Sequence, residues 1–545
     1  MAQPQLDTED DTRSSERHTD ARASLAPASD WGSFVGDLSK RGDRPAWRVH
    51  DRTHVEFALD YAIEPGARST EHEWEAYFFV PESLRIDSKT YDKQDIYSDL
   101  ASYIRFAVPD VPFAEVAGAP LERLRDVVES GDRAAMIREL RVFACLVRAA
   151  GVARKRTISD ALNDGDSDRR TRALAATSRM VADTGRIAEG LRSVLATLPE
   201  GDDTLTTAAQ WVDEDVSRLL ETLMGNLAIQ LEEADAPETL RQSVVNAAVS
   251  EARYRRDGCL EGVGTATASK RDVEHLEFRR HVLKRFTSSV LWLKPEVRDA
   301  ARVVLNVLYA VAAGVAMTFA VVAAIWNGNP MGSDLFMWAV IAVLAYMAKD
   351  RLKAWLQGVF SSVVSRHLPD RRWRLHDPER RVMLGKIDEQ SAFVPFGDLP
   401  PAVLERRRST RVHPLEEQAR VEKVLWHRKV VRLSAAKLAR ADERFDALTE
   451  IFRLDLRRWL AHTDDPKRKI VFADPEAGRV QSAIAPRVYN LGIVYRLRRA
   501  GDDSAPWERI RVVVTRKGIR RIDHIPGTVR PAGLGADFSL SGAPA

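Results

Sequence analysis

The sequence predicts an α+β membrane protein. A two-helix transmembrane hairpin joins a β-rich plus helical N-terminal cytoplasmic region to an α+β C-terminal cytoplasmic domain ending in an antiparallel meander. Three observations carry this prediction. Val303 to Trp326 is a run of 24 residues without an ionisable group, followed by a second apolar run, Leu335 to Ala348. Apolar residues alternate with period two near residues 54–63 and 488–497. Between residues 114 and 293 the apolar spacing is helical instead.

Residues 1–30 hold seven acids and three arginines with no apolar core, which reads as a disordered acidic tail and not as a secretory signal. A small β-rich domain is expected over 31–112. In it Val55, Phe57, Leu59, Tyr61 and Ile63 alternate with polar positions, and Trp74 to Val80 supplies a second β-prone run, so the two together predict a β-hairpin. Tyr91, Tyr97, Leu100, Tyr103, Ile104 and Phe106 predict a short amphipathic helix after it. Residues 113–293 predict a helical domain of five or six helices, separated by Gly- and Asp-rich stretches.

The transmembrane hairpin is placed at 294–348. At about 1.5 Å per residue the first run spans roughly 36 Å as a helix, more than a hydrocarbon core of about 30 Å. Lys294-Pro295-Glu296 suits a helix start, because proline at the first position loses only a donor that has no partner there. Asn327 to Pro330 stops the helix. The second run gives only about 21 Å, which Lys349 and Lys353 can extend by snorkelling. The connecting loop, Asn327 to Asp334, has no Lys or Arg, whereas both outer flanks are rich in them. The charge rule then puts both termini in the cytoplasm and the protein in the inner (plasma) membrane as a multi-pass protein.

Residues 349–368 predict an amphipathic helix with Leu352, Trp355, Leu356, Val359, Phe360 and Val363 on one face. It either lies in the headgroup layer or docks on the cytoplasmic domains, and Trp355 beside Lys and Arg favours the interface. Residues 369–414 read as a basic, proline-punctuated linker. An α+β domain is expected over 415–526, with helices near Leu415 to Arg440 and Glu443 to His462. It closes with three alternating runs from Tyr489, Ile510 and Ile519 that predict the meander. Residues 527–545 form a loose tail rich in Gly, Pro and Ser.

Net charge is only +3, but Lys349 to Arg440 carries 21 Lys and Arg against 11 Asp and Glu. Such an excess suits a bilayer with anionic headgroups. No readout motif for nucleic acid accompanies it, so none is expected as a partner. Two distant cysteines, Cys145 and Cys259, indicate neither a disulfide framework nor a cysteine zinc site. With 66 Arg to 16 Lys and abundant Ala, the composition suggests a GC-rich bacterial genome.

Several constellations invite chemistry and fall short of it. His50, His54 and His72, with Glu73 beside the last, would make a metal site only by converging; histidines on a sheet surface are the simpler reading. Asp164-Gly165-Asp166-Ser167-Asp168 begins like a calcium loop, but Ala175 stands where the bidentate glutamate belongs. Gly258 to Lys270 lacks both the glycine spacing and the preceding strand of a phosphate-binding loop. Within the first span Ala310, Gly314 and Thr318 form one small-residue row and Ala316, Ala320 and Ala324 another, either of which allows close helix packing. Asn306 is its one strongly polar side chain.

No catalytic, cofactor-binding or metal-ligating residue is therefore assigned, and no cofactor. The expected function is a membrane-anchored assembly or regulatory protein binding other proteins, with a homo-oligomer through the transmembrane helices as a further partner. The alternatives are a membrane-bound enzyme of an unfamiliar class and a subunit of an oligomeric channel or transporter.

Overall fold

The computed structural model describes residues 46–525 apart from 65, 165, 200, 259–269, 327–334, 409–421 and 477. The acidic tail 1–30, the arginine-free loop between the apolar runs, most of the stretch 258–270 and the tail 527–545 lie outside the described residues.

Strands β1 (Ala46–Val49), β2 (His54–Ala62) and β3 (Ser69–Pro81) come first, then helix α1 (Lys93–Asp99) and strand β4 (Leu100–Phe106). Six helices follow: α2 (Ala119–Glu129), α3 (Arg133–Leu162), α4 (Ser167–Leu195), α5 (Asp203–Glu233), α6 (Glu238–Asp257) and α7 (Lys270–Ser288). Strand β5 (Lys294–Asp299) leads into α8 (Ala300–Trp326), and α9 (Leu335–His367) leads into β6 (Arg371–His376). Then come β7 (Met383–Val394), α10 (Pro401–Arg408), β8 (Glu422–Ser434), α11 (Ala435–Ala441), β9 (Ala447–Asp455) and α12 (Arg457–Leu460). Strands β10 (Lys467–Asp474), β11 (Arg479–Pro486), β12 (Tyr489–Arg499), β13 (Glu508–Thr515) and β14 (Gly518–His524) close the order.

Mixed α+β architecture with antiparallel sheets is what the alternating and helical patterns predict, and the meander β12-β13-β14 forms as its alternation requires. The pairing is less local than the sequence suggests. An eight-stranded sheet runs β14-β13-β12-β3-β8-β7-β6-β5 and a four-stranded sheet runs β1-β2-β9-β4. Strands from residues 46–106 thus alternate with strands from 422–499, and these two distant stretches of the chain build one body. The sheets face each other over a shared apolar core in which Trp74 packs on Phe452 at 4.5 Å and Phe57 on Tyr495 at 5.4 Å.

This topology corrects several expectations. β2 and β3 are not a hairpin: β2 pairs with β1 and β9, and β3 with β8 and β12. The helix expected near residue 100 ends at Asp99, because Leu100–Phe106 is drawn into the ladder with β9. Within 369–414, expected as linker, residues 371–376 and 383–394 are strands β6 and β7. The helices expected near Leu415 to Arg440 and Glu443 to His462 are mainly β8 and β9, whose apolar faces are satisfied by neighbours hundreds of residues away. Lys294-Pro295-Glu296 starts a strand; β5 is a sheet edge, where proline's missing donor is harmless.

β5 and β6 pair from Asp299 opposite Arg371 to Lys294 opposite His376, so α8 and α9 stand side by side on neighbouring strands. Val304–Ala323 of α8 is long and apolar enough to cross a membrane, with mean hydropathy 2.0 and only 11% of that stretch buried. It is the one such helix among the described residues. The second expected span does not qualify, because Lys349, Asp350, Arg351 and Lys353 interrupt it. Nor is 349–368 a separate interfacial helix; it continues α9 without a break. Within α8, Ala312 and Ala316 are buried, while Ala310, Gly314, Thr318 and Asn306 are exposed.

Candidate functional site

The feature that stands apart from ordinary packing is a chain of buried polar side chains between the two sheets, beside the point where α9 meets the large sheet. β8 presents Leu425, His427, Lys429, Val431 and Leu433 to the core at alternate positions, which places one imidazole and one ammonium on an otherwise apolar face. On β7 the register sets Ser391 opposite His427 and Glu389 opposite Lys429. The small sheet contributes Glu450 from β9 and Tyr61 from β2.

Lys429, only 1% exposed, donates to Glu389 at 2.9 Å and also to Glu450 and to Ser102 Oγ. The second oxygen of each carboxylate is used too: Tyr61 donates to Glu450 Oε2 at 2.6 Å and Trp373 Nε1 to Glu389 Oε2 at 2.8 Å. Burial opposes the lysine's charge, but the two carboxylates outweigh it and hold its pKa above the ordinary value. Burial, reinforced by Glu450, pushes the Tyr61 hydroxyl well up. Because each partner's remaining sites are filled, the cluster avoids the cost of a half-satisfied buried network.

A second branch starts at the foot of α9. Asp370 accepts from Tyr97 at 2.8 Å, from the Ser391 amide at 3.0 Å and from Lys93. Ser391 Oγ and His427 Nδ1 share a hydrogen bond of 2.7 Å. Burial, and next the nearby Lys429, push the His427 pKa well down, so the ring is neutral. Its Nε2 has no hydrogen-bond partner among the described residues, and the ring sits against Phe452 at 5.3 Å and Trp74 at 5.5 Å. A serine on an imidazole nitrogen is half of a nucleophile-base pair. Here both side chains are fully buried, so the pair positions strands and meets no substrate in this conformation.

The residues singled out from sequence fall elsewhere. His50 and His54 do approach, with ring centroids 6.2 Å apart, but each is engaged by a carboxylate, Glu56 at 3.3 Å and Asp51 at 2.8 Å. His72 is buried in β3 and hydrogen-bonds the Ala62 carbonyl at 2.8 Å. The three do not converge, and no group of three or more His, Cys, Asp or Glu among the described residues could hold a metal ion. Asp166 caps α4 by accepting from the Asp168 amide, and Asp164 pairs with Arg169, so that run is a capped helix start. Gly262 and Gly264 lie outside the described residues. Cys145 is buried, its thiol pushed up to about 12 by desolvation, and is unreactive there. A cleft of about 240 Å³ lined by Glu64, Glu71, Arg432 and Arg499 contains none of these groups.

Lys429, Glu389, Glu450, His427 and Ser391 were all missed by sequence reasoning. The available signal was His427 and Lys429 two apart within Leu425 to Leu433, which a helical reading of that stretch conceals. Compared with protein-family models, with curated proteins and with solved structures, the chain matches none.

Proposed function

We propose that the chain is a membrane-anchored assembly or regulatory protein, in which α8 and α9 form a hairpin inserted from the cytoplasmic side and the β body and helical domain bind other proteins beneath the membrane. The observation that carries this reading is the exposure of α8. A core helix of a soluble protein of that hydropathy would be mostly buried, whereas this one keeps Val307, Val311, Val315, Met317, Phe319 and Ile325 open along its length. Water is a poor solvent for such a surface and lipid a good one.

α9 contributes the return path. Its apolar Leu335 to Ala348 segment returns beside the upper part of α8. The arginines at its foot and just beyond it, Arg366, Arg371, Arg372 and Arg374, suit the cytoplasmic face. Asp370 and Trp373, just after the helix, connect it to the buried ionic chain, which supports a regulatory role: a tilt of the helix pair strains the contact between the sheets.

Two measurements test the proposal. The full chain should stay in membranes through alkaline carbonate, and protease added to intact cells should spare tags at both termini. Release by carbonate, or cleavage of either tag from outside, overturns it. Affinity purification from native membranes should recover the same protein partners reproducibly, and recovery of none counts against the assembly role.

A further inference from the structure

β10 and β11 form a two-stranded ribbon that pairs with no other strand among the described residues. A lone hairpin is marginal in water, and this one leaves its apolar side chains open. The register puts Val471, Val480 and Ile484 on one face together with Lys467 and Lys469. These three apolar residues are 65%, 72% and 68% exposed, against 43% and 46% for Ile470 and Phe472 on the other face.

We propose that this face of the ribbon rests in the anionic headgroup layer as a second membrane contact; the inference rests on the membrane-anchored reading above. Charge selects the occupant. Residues 467–487 hold five basic residues, Lys467, Arg468, Lys469, Arg479 and Arg487, against Asp474 and Glu476. A second copy would bring the same excess and repel it, whereas anionic lipid attracts it. Lysines flanking β-branched residues on one face place apolar atoms in the acyl boundary and ammonium groups among phosphates. Asp474, Glu476 and Arg479 at the tip oppose tip-first entry, so the ribbon lies flat, with its strand edges hydrated.

Topology agrees. Asp299 lies opposite Arg371, and following the strands outward from that end the register continues through Val394 opposite Val424 and Pro81 opposite Glu422 to Phe79 opposite Gly492. The ribbon joins β12 at Tyr489, so it leaves the large sheet on the same side as α8 and α9, eight residues beyond Leu497, which shares the row of Arg371.

The test uses the full chain in nanodiscs, with Cys145→Ala and Cys259→Ser and an environment-sensitive fluorophore on one new cysteine. With phosphatidylglycerol present, a probe at Val480→Cys should be quenched about two-fold or more by headgroup-level nitroxide lipid, as an interfacial face requires. A probe at Gln481→Cys, on the other face, should not. Adding Lys467→Glu and Lys469→Glu, or using phosphatidylcholine alone, should abolish the quenching. A probe at Val315→Cys in α8 reports anchoring separately, through deep nitroxide lipid. If Val315 is quenched and Val480 is not, or if Val480→Cys cross-links two copies, the ribbon contact is overturned and the anchor stands. If Val315 is unquenched, the anchor itself fails.

Discussion

Lys429 neutralises two carboxylates that have no water to turn to, and two substitutions separate what the charge does from what the packing does. Lys429→Met should cost about 3–5 kcal/mol, because it strands Glu389 and Glu450 buried and unpaired. Adding Glu389→Gln and Glu450→Gln should recover much of that loss, measured as the denaturation midpoint of the detergent-solubilised chain. Its neighbour predicts a pH dependence. His427 is neutral in the folded chain but takes a proton near its ordinary 6.5 when unfolded. Below that pH the unfolded state binds the extra proton, so stability is complete above about 6.5 and falls as pH drops, by up to about 1.4 kcal/mol per unit. Lys429 has the opposite sign: its contribution is complete below 10.5 and is lost as pH rises through its raised pKa. The double variant Ser391→Ala, His427→Phe should flatten the acid slope in thermal melts taken between pH 7 and pH 5. Gly518 is constrained in another way. At φ +122°, a side chain there would lie 2.2 Å from the Arg52 carbonyl, so Gly518→Ala should destabilise by more than about 1 kcal/mol.

At the level of elements, α3 is fastened to the β body by ions. Arg444 bridges Asp442 at 2.9 Å and Glu139 at 2.6 Å, and Arg138 reaches Glu379 at 2.7 Å. Burial alone would raise the Asp442 pKa, but Arg444 outweighs it and holds the carboxyl at about 2. A depressed carboxyl stabilises above its ordinary pKa of 3.8 and loses that contribution as pH falls toward 2. Hydrogen exchange should therefore show α3 loosening from the β body across that interval, before the helices themselves melt. The elements also show what a sequence can reveal. β12, β13 and β14 were legible because β12 pairs with β13 and β13 with β14, and the apolar residues of β12 and β13 alternate plainly. β8 and β9 were not, because Lys429, His427 and Glu450 sit on their buried faces and break the polar-apolar rhythm. Those residues are the candidate site, so one physical fact hid both the strands and the chemistry. α8 was legible from hydropathy alone, whereas the pairing of β5 with β6 depends on a contact that no local pattern encodes.

For the whole molecule, the interleaving of strands predicts which pieces can exist alone. β8 pairs with β3 and β7, β9 with β2 and β4, and β12 with β3 and β13. A fragment of residues 422–525 lacks β2, β3, β4 and β7, and should show no cooperative unfolding. Co-expressed with residues 1–408, it should be recovered in a stoichiometric complex, because the missing neighbours are then supplied in trans.

The same interleaving sets a timetable for biosynthesis. Tyr61 and Glu450 are 389 residues apart along the chain, so at about 5–20 residues per second β2 waits roughly 20–80 s for β9. During that interval β3 and the outer edge of β2 lack their later partners, and α8 and α9 are synthesised before β9 arrives. If α8 and α9 insert as proposed, they can do so before the β body closes, and the edges of β2 and β3 stay open until β8 and β9 arrive.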